Sequence, residues 1–186
     1  ELVVIHDDTL NRTTNGRGRH DRLSLRQLRA LDAGDGAQIP LLAEVFASVP
    51  RHVAINIELK GPGTTAPLAA ALGQWQPPHN VLVSSFEHQK LRDFRAINTT
   101  TPVAPLFHKP SNQMLEIGLE LGASAININS RMATASRLGM IREAGFGVLV
   151  YTVNSLRSAR RLARDGATGV FTDRPDRITQ DAIDAA

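Results

Sequence analysis

Short apolar runs recur along this chain at intervals of about twenty to thirty residues, and each is followed by a stretch with helical spacing. The runs predict strands over 53–59, 81–86, 103–107, 125–129, 148–153 and 169–172, and helices over 67–72, 89–97, 112–121, 133–143 and 156–164. Near-continuous apolar strands that alternate with helices require a parallel sheet covered on both faces, either open and doubly wound or closed into a barrel. Gly122, Gly145 and Gly166 each stand just after a helical stretch, where a left-handed C-cap suits glycine. Ser155 and Ser85 stand at strand ends as candidate N-caps, and Ser84-Ser85 are equally placed to face a ligand.

One core is within reach of 186 residues of which 42% are hydrophobic, so a single domain over 1–186 is the expectation. A closed (β/α)8 barrel takes about 250 residues, which leaves this chain short by roughly two strands and one helix. Residues 9–40 break the repeat. They carry a polar Thr13-Thr14-Asn15-Gly16-Arg17-Gly18 turn, a short helix at Ser24 to Leu28 and a Gly34-Asp35-Gly36 turn. This reads as an insertion that serves as lid or wall of a site, since long irregular excursions in compact domains tend to be functional.

Polar groups close the apolar runs. His6-Asp7-Asp8 follows Leu2-Val3-Val4-Ile5, and Glu58-Leu59-Lys60 follows Val53 to Ile57. In a parallel barrel the loops after the strand ends line the active site. Besides His6, Glu58 and Lys60, that edge would carry Ser85, His108, Lys109, Asn127, Asn129, Thr152, Asn154 and Asp173. An imidazole, a carboxylate and an ammonium in such places can shuttle a proton, hold a cation and neutralise a phosphate. An enzyme acting on an anionic substrate is implied.

The formal charge is +3, the arginines are scattered and aromatic residues are few, so nucleic acid is not an expected partner. No apolar run approaches the eighteen or so residues of a membrane span, and the first residues lack the pattern of a secretory signal. Stable membrane insertion is not expected, and the expected compartment is the cytoplasm. Cysteine is absent, which excludes thiolate zinc sites and cysteine nucleophiles and leaves oxygen or imidazole ligands for a hard divalent metal, Mg²⁺ or Ca²⁺. His20, His52, His79 and His88 are expected at the surface. His108 and Lys109, just past a strand, stand apart from them. Self-association is left open.

The segments His6-Asp7-Asp8-x-Leu10-x-Arg12-Thr13-Thr14-Asn15-Gly16-x-Gly18, Ile39-Pro40-Leu41-Leu42-x-Glu44-Val45 and Asn56-Ile57-Glu58-Leu59-Lys60 resemble, in order and spacing, successive motifs of the glycerophosphodiester phosphodiesterases. Val83-Ser84-Ser85-Phe86, Val150-Tyr151-Thr152-Val153-Asn154 and Gly169 to Asp173 resemble that family's later strands. The resemblance implies a TIM-type (β/α)8 barrel, N-terminally incomplete here, with about six β/α units and 9–40 as the insertion after the second strand. The family's opening H-R-G and E-x-D motifs do not occur in this sequence.

By that resemblance His6 is the second of two catalytic histidines, Glu58 one of three metal carboxylates and Lys60 the phosphate-binding cation. The reaction implied is metal-dependent hydrolysis of a small glycerophosphodiester to glycerol 3-phosphate and an alcohol, in lipid and glycerol metabolism. A non-catalytic, phosphate-binding barrel is the alternative. Other readings of single residues stay open: Asp7 as ring-orienting or a turn residue, Arg12 as an anchor of the insertion or a phosphate contact, and Glu58 as an ion-pair partner of Lys60. Asn129 and Asn154 suit substrate contacts or strand-end caps, Ser85 a cap or a ligand contact, and Phe86 and Tyr151 core or pocket wall. The family commonly carries a ligand-facing aromatic at the position of Tyr151.

Overall fold

The computed structural model describes residues 1–75 and 79–185. Its strands are β1 (Ile55–Glu58), β2 (Val81–Ser85), β3 (Val103–Phe107), β4 (Ala125–Asn129), β5 (Gly147–Tyr151) and β6 (Gly169–Val170). They form one sheet in the order β1-β2-β3-β4-β5-β6, and the pairings from β2 through β6 are all parallel. An open doubly wound sheet reverses its order at a switch point, whereas a TIM-type barrel places each strand beside its neighbour in sequence. The strict order here is that of six consecutive units of a (β/α)8 fold, incomplete as a barrel.

The helices between the strands are α3 (Thr65–Trp75), α4 (His88–Ile97), α5 (Met114–Glu120), α6 (Ala135–Glu143) and α7 (Leu156–Arg164), with α8 (Gln180–Asp184) last. Local chemistry sets their ends. Ser155 caps α7 by accepting from the Ser158 amide, and the basic Arg161 and Arg164 in its last turn complement the helix dipole. Gly122, Gly145 and Gly166 adopt φ of 55°, 90° and 103°, the left-handed caps expected of them. Two short helices, α1 (Leu25–Arg29) and α2 (Leu42–Ser48), precede β1, and α2 lies outside the helices that spacing predicts.

The described residues fall into two compact units, Glu1–Ile55 with Lys60–Asn80, and Asn56–Leu59 with Val81–Ala186. In the second, Phe107, Ile126, Ile128, Val148 and Val150 pack on Met114, Leu138, Ile141, Ala159 and Leu162 of the helices. Burying a leucine such as Leu138 stabilises by about 1.5–3 kcal/mol. The two-residue period of a strand sends the intervening residues to the opposite face. That face, away from the helices, therefore carries Leu106, Asn127, Leu149 and, at the strand ends, His108, Asn129 and Tyr151. Val83 pairs with Val103 and Ser85 with Pro105, which sets Ser84 and Phe86 on the same face. The Leu59 amide donates to the Ser84 carbonyl at 2.7 Å, an arrangement that brings Glu58 alongside Ser84.

The first unit departs from expectation at its start. Leu2 to Ile5 do not form a parallel strand; Val3 makes one antiparallel bridge to Leu41, flanked by Val4 N–H to the Pro40 carbonyl and Leu42 N–H to the Leu2 carbonyl, both 2.9 Å. The segment they pair with is the returning end of 9–40, which runs the other way. Within that excursion Leu10, Leu28 and Ile39 are buried among Val3, Ile5, Leu23 and Leu31, a small core of its own. Ser24 and Gln27 form a reciprocal capping box on α1, and Arg29 reaches the Glu44 carboxylate at 2.5 and 2.8 Å.

Candidate active site

In the first unit the chemistry-bearing residues cluster just after the Val3–Leu41 bridge. His6 Nδ1 lies 2.6 Å from Asp7 Oδ1, and Arg12 grips the same carboxylate with Nε to Oδ2 at 2.7 Å and Nη2 to Oδ1 at 2.8 Å. A contact of 2.6 Å between imidazole and carboxylate needs a proton on Nδ1, so Nε2 is the nitrogen presented outward. The His6 side chain is 72% exposed and within reach of a ligand. The Arg12 guanidinium first, and His6 second, hold the Asp7 carboxyl well below the usual carboxylate range. Asp7 in turn raises Arg12. Arg12 thus ties the start of the insertion to the residue that orients His6. The Lys60 ammonium donates to the His6 carbonyl at 3.1 Å, which joins the two motifs through the backbone that carries the imidazole.

In the second unit the helix-free face ends in a group of rings. Phe86 and His108 stack with centroids 3.9 Å apart and planes 10° from parallel. Tyr151 stands nearly perpendicular to both, at 5.6 and 5.9 Å. Its hydroxyl donates to the Phe107 carbonyl at 2.8 Å and lies 3.3 Å from His108 Nδ1. Glu58 closes β1 on this face, half-buried, with Oε1 sealed from solvent. Burial, and after it the Glu58 charge, push the Tyr151 phenol far up.

Other predicted site residues have local partners. Asn129 Oδ1 accepts from the Arg131 amide and caps a 3-10 turn at Ser130–Met132. Asn154 accepts from the Asp173 amide and the Thr172 hydroxyl and donates to the Asp173 carboxylate, lacing the end of β5 to that of β6. Ser85 projects toward the helices, donates to the Leu59 carbonyl at 2.7 Å and accepts from the Glu87 amide. It is not the cap of α4, whose N-cap residue is Glu87. Two histidines expected at the surface are not there: His79 is buried, 3.0 Å from the Val49 carbonyl, and His88 is half-buried, 3.0 Å from the Leu106 carbonyl. An imidazole can satisfy a strand-end or turn carbonyl, which spacing alone does not reveal.

Only the place of His108 past β3 hints at its stack, and only alternation along the strands hints at the buried polar atoms of the same face. Among the described residues the Ser84 hydroxyl and both ends of the Asn127 amide are buried without hydrogen-bond partners. Alternation would have found them, since Ser84 and Asn127 occupy inward positions of apolar strands.

For the divalent metal, the described residues do not make a site by themselves. No three His, Asp or Glu side chains converge among them, so Glu58 stands as one carboxylate and not as a ligand set. No helix among the described residues is long and apolar enough to cross a membrane.

Comparison with known proteins gives a consistent result. The glycerophosphoryl diester phosphodiesterase family matches residues 1–177. YhdW of Bacillus subtilis (strain 168), provisionally named a glycerophosphodiester phosphodiesterase, is 32% identical over 97% of this chain and 80% of its own length. A glycerophosphodiester phosphodiesterase of Bacillus altitudinis is 31% identical over 96% of this chain and 80% of its own. Among solved structures, an Oleispira antarctica phosphodiesterase in complex with the product sn-glycerol-3-phosphate superposes with a TM-score of 0.89 at 28% identity, over 98% of this chain and 79% of that one.

Proposed function

The chain belongs to the glycerophosphoryl diester phosphodiesterase family, and from that premise we propose that it hydrolyses soluble glycerophosphodiesters to glycerol 3-phosphate and an alcohol by histidine acid/base catalysis. The observation that carries the reading is the oriented imidazole of His6, with Nδ1 held by Asp7 at 2.6 Å and Asp7 held by Arg12. The Oleispira phosphodiesterase, solved with sn-glycerol-3-phosphate as its product, supports the choice of product.

His6 acts as the acid for the departing alkoxide. Its Nε2–H gives its proton to the head-group oxygen as that bond to phosphorus breaks, while the attacking glycerol hydroxyl passes its own proton to a second base, the other of the two catalytic histidines that the family resemblance implies. The neutral imidazole of His6 then takes a proton from the water that opens the resulting cyclic phosphate, and the second group returns its proton to the departing glycerol oxygen, which restores both to their starting states. Asp7 stabilises the protonated ring and fixes its tautomer throughout. Lys60 places its ammonium against a phosphate oxygen, where it offsets charge that grows in the transition state. We assign a divalent cation, Mg²⁺ or Ca²⁺, as cofactor, with Glu58 as the ligand this chain contributes; when bound it would acidify a hydroxyl and neutralise phosphate charge. The physiological setting we assign is turnover of deacylated phospholipids.

The test is kinetic, on the full-length protein with glycerophosphocholine. His6→Ala is expected to lower kcat by about 10²–10⁴-fold with little change in melting temperature, because the ring is exposed. An undiminished rate in that variant would overturn the assignment.

A further inference from the structure

The mechanism above makes no use of His108, yet this exposed side chain is held on two sides. One face of its ring lies flat on Phe86 at 3.9 Å. Its Nδ1 is 3.3 Å from the Tyr151 hydroxyl oxygen, whose own proton is given to the Phe107 carbonyl at 2.8 Å. That oxygen can only accept from His108, so Nδ1 is the donor and carries the ring proton. In the neutral ring Nε2 then keeps its lone pair. An imidazole on a solvent-facing strand end would ordinarily sample several rotamers; this one has its ring plane, tautomer and acceptor nitrogen fixed. Preorganisation of that kind lowers the entropic cost of forming a hydrogen bond to a ligand.

The position suits a substrate. His108 directly follows β3, on the same helix-free face as Phe86, Tyr151 and the Glu58 carboxylate. Tyr151 meets the stacked pair at 86° and 77°, so the imidazole has an aromatic ring against its face and a second one roughly perpendicular to it. We propose that His108 is a specificity-determining residue whose Nε2 accepts a hydrogen bond from a hydroxyl or ammonium donor of the bound diester, with Phe86 and Tyr151 as the walls that aim it. This rests on the phosphodiesterase reading. The donor is either a hydroxyl of the glycerol moiety, present in every substrate of the class, or a donor on the head-group alcohol, present in ethanolamine and glycerol head groups and missing from choline.

The experiment compares full-length wild type with His108→Phe, which keeps the stack and removes both nitrogens, and His108→Gln, which restores an acceptor near the place of Nε2. Glycerophosphoethanolamine, glycerophosphoglycerol and glycerophosphocholine are assayed with each, and binding of the same diesters is followed by calorimetry. His108→Phe is expected to raise KM about tenfold with kcat changed less than about twofold, and His108→Gln to recover most of the loss. A rise with all three diesters assigns the donor to glycerol; a rise confined to the ethanolamine and glycerol head groups assigns it to the head group. An unchanged KM for all three, or a fall in kcat at constant KM, overturns the proposal.

If His108→Phe does not fold, Tyr151→Phe, which keeps the wall and releases the imidazole, is expected to raise KM by a smaller factor, and no rise overturns the proposal. A wild type that turns over no diester, yet binds glycerophosphoethanolamine more tightly than His108→Phe does, keeps this inference and overturns the hydrolytic reading. A wild type that binds none of the three overturns both.

Discussion

The irregular stretch that opens the chain and the strand–helix repeat that follows hold their polar groups by different means. Around His6 and through 9–40, charge holds charge at short range: Asp7 with Arg12, Arg19 with Asp21, Arg29 with Glu44. Exposed pairs of this kind contribute little stability one by one, but a two-point guanidinium grip fixes where a carboxylate points. In the repeat, strands whose other face is buried under helices fix the side chains. Glu58, Phe86, His108 and Tyr151 are aimed by the sheet. The comparison teaches that an oriented imidazole and a cluster of strand-end rings can be positioned by unrelated physics.

The largest effects should separate the two small-scale cores. Leu10 and Leu138 are both fully buried leucines, one in the excursion and one on α6. Truncation of either to alanine is expected to cost about 2–5 kcal/mol where it sits. For Leu138→Ala that loss should appear in the global melt. For Leu10→Ala it should appear as faster hydrogen exchange and proteolysis across 9–40 with a smaller change in the main transition, since its neighbours are those of a separate cluster. Equal shifts in the global melt, with no local change, would erase the distinction.

Asp7→Asn tests the electrostatic half. Loss of the carboxylate removes the group that orients the imidazole, and kcat is expected to fall about tenfold to a hundredfold. The pH behaviour has a definite sign. Asp7 ionises more readily folded than unfolded, so its stabilisation is fully present above its unfolded pKa near 3.9 and is lost as pH falls through the lower folded value. The gap in melting temperature between wild type and Asp7→Asn should narrow as pH falls below about 4. A gap that stays unchanged down to about pH 2 would show that the Asp7 charge does not control the cluster.

How much the sequence revealed follows the same divide. The strands over 103–107 and 125–129 and the helix over 156–164 were legible to the residue, because an apolar run, the alternation of Ile126 and Ile128 with asparagine, and serine and glycine caps are local signals. The Leu2 to Ile5 run looked like the others, and its antiparallel bridge to Leu41 depends on a partner thirty-eight residues from Val3, which period does not encode. At the site, motif resemblance singled out His6, Glu58 and Lys60, and composition could not have. Asn154 and Asn129 were ambiguous because an amide at a strand end serves a loop as readily as a ligand, and both have loop partners. The Phe86–His108–Tyr151 group joins three different strands. Only the register brings it together.

Tyr151 tests the strand-held half by pH. It is the one tyrosine of this sequence, and burial followed by the Glu58 charge raises its phenol far above the ordinary value. In the difference between wild type and Tyr151→Phe, ultraviolet absorbance should show ionisation well above the reference pKa of about 10. The folded state keeps this proton longer than the unfolded chain, so stability should fall as pH rises from about 10 toward the folded value. Ionisation near 10 would mean that the ring lies open to solvent and the wall is loose.

The smallest effect compares neighbours on one strand. Ser84 and Ser85 are both buried on β2, but they point to opposite faces. Ser85 makes two hydrogen bonds, one of them to the end of β1, and Ser85→Ala is expected to cost about 1–2 kcal/mol. The Ser84 hydroxyl has no partner among the described residues, so its desolvation is uncompensated and Ser84→Ala should be neutral or stabilising by up to about 1 kcal/mol. Thermal melts of the two variants read the difference directly. A Ser84→Ala loss as large as that of Ser85→Ala would mean that the helix-free face, beside Glu58, is held by polar bonds after all. The contrast between a charge-held and a sheet-held half would then have to be withdrawn for β2.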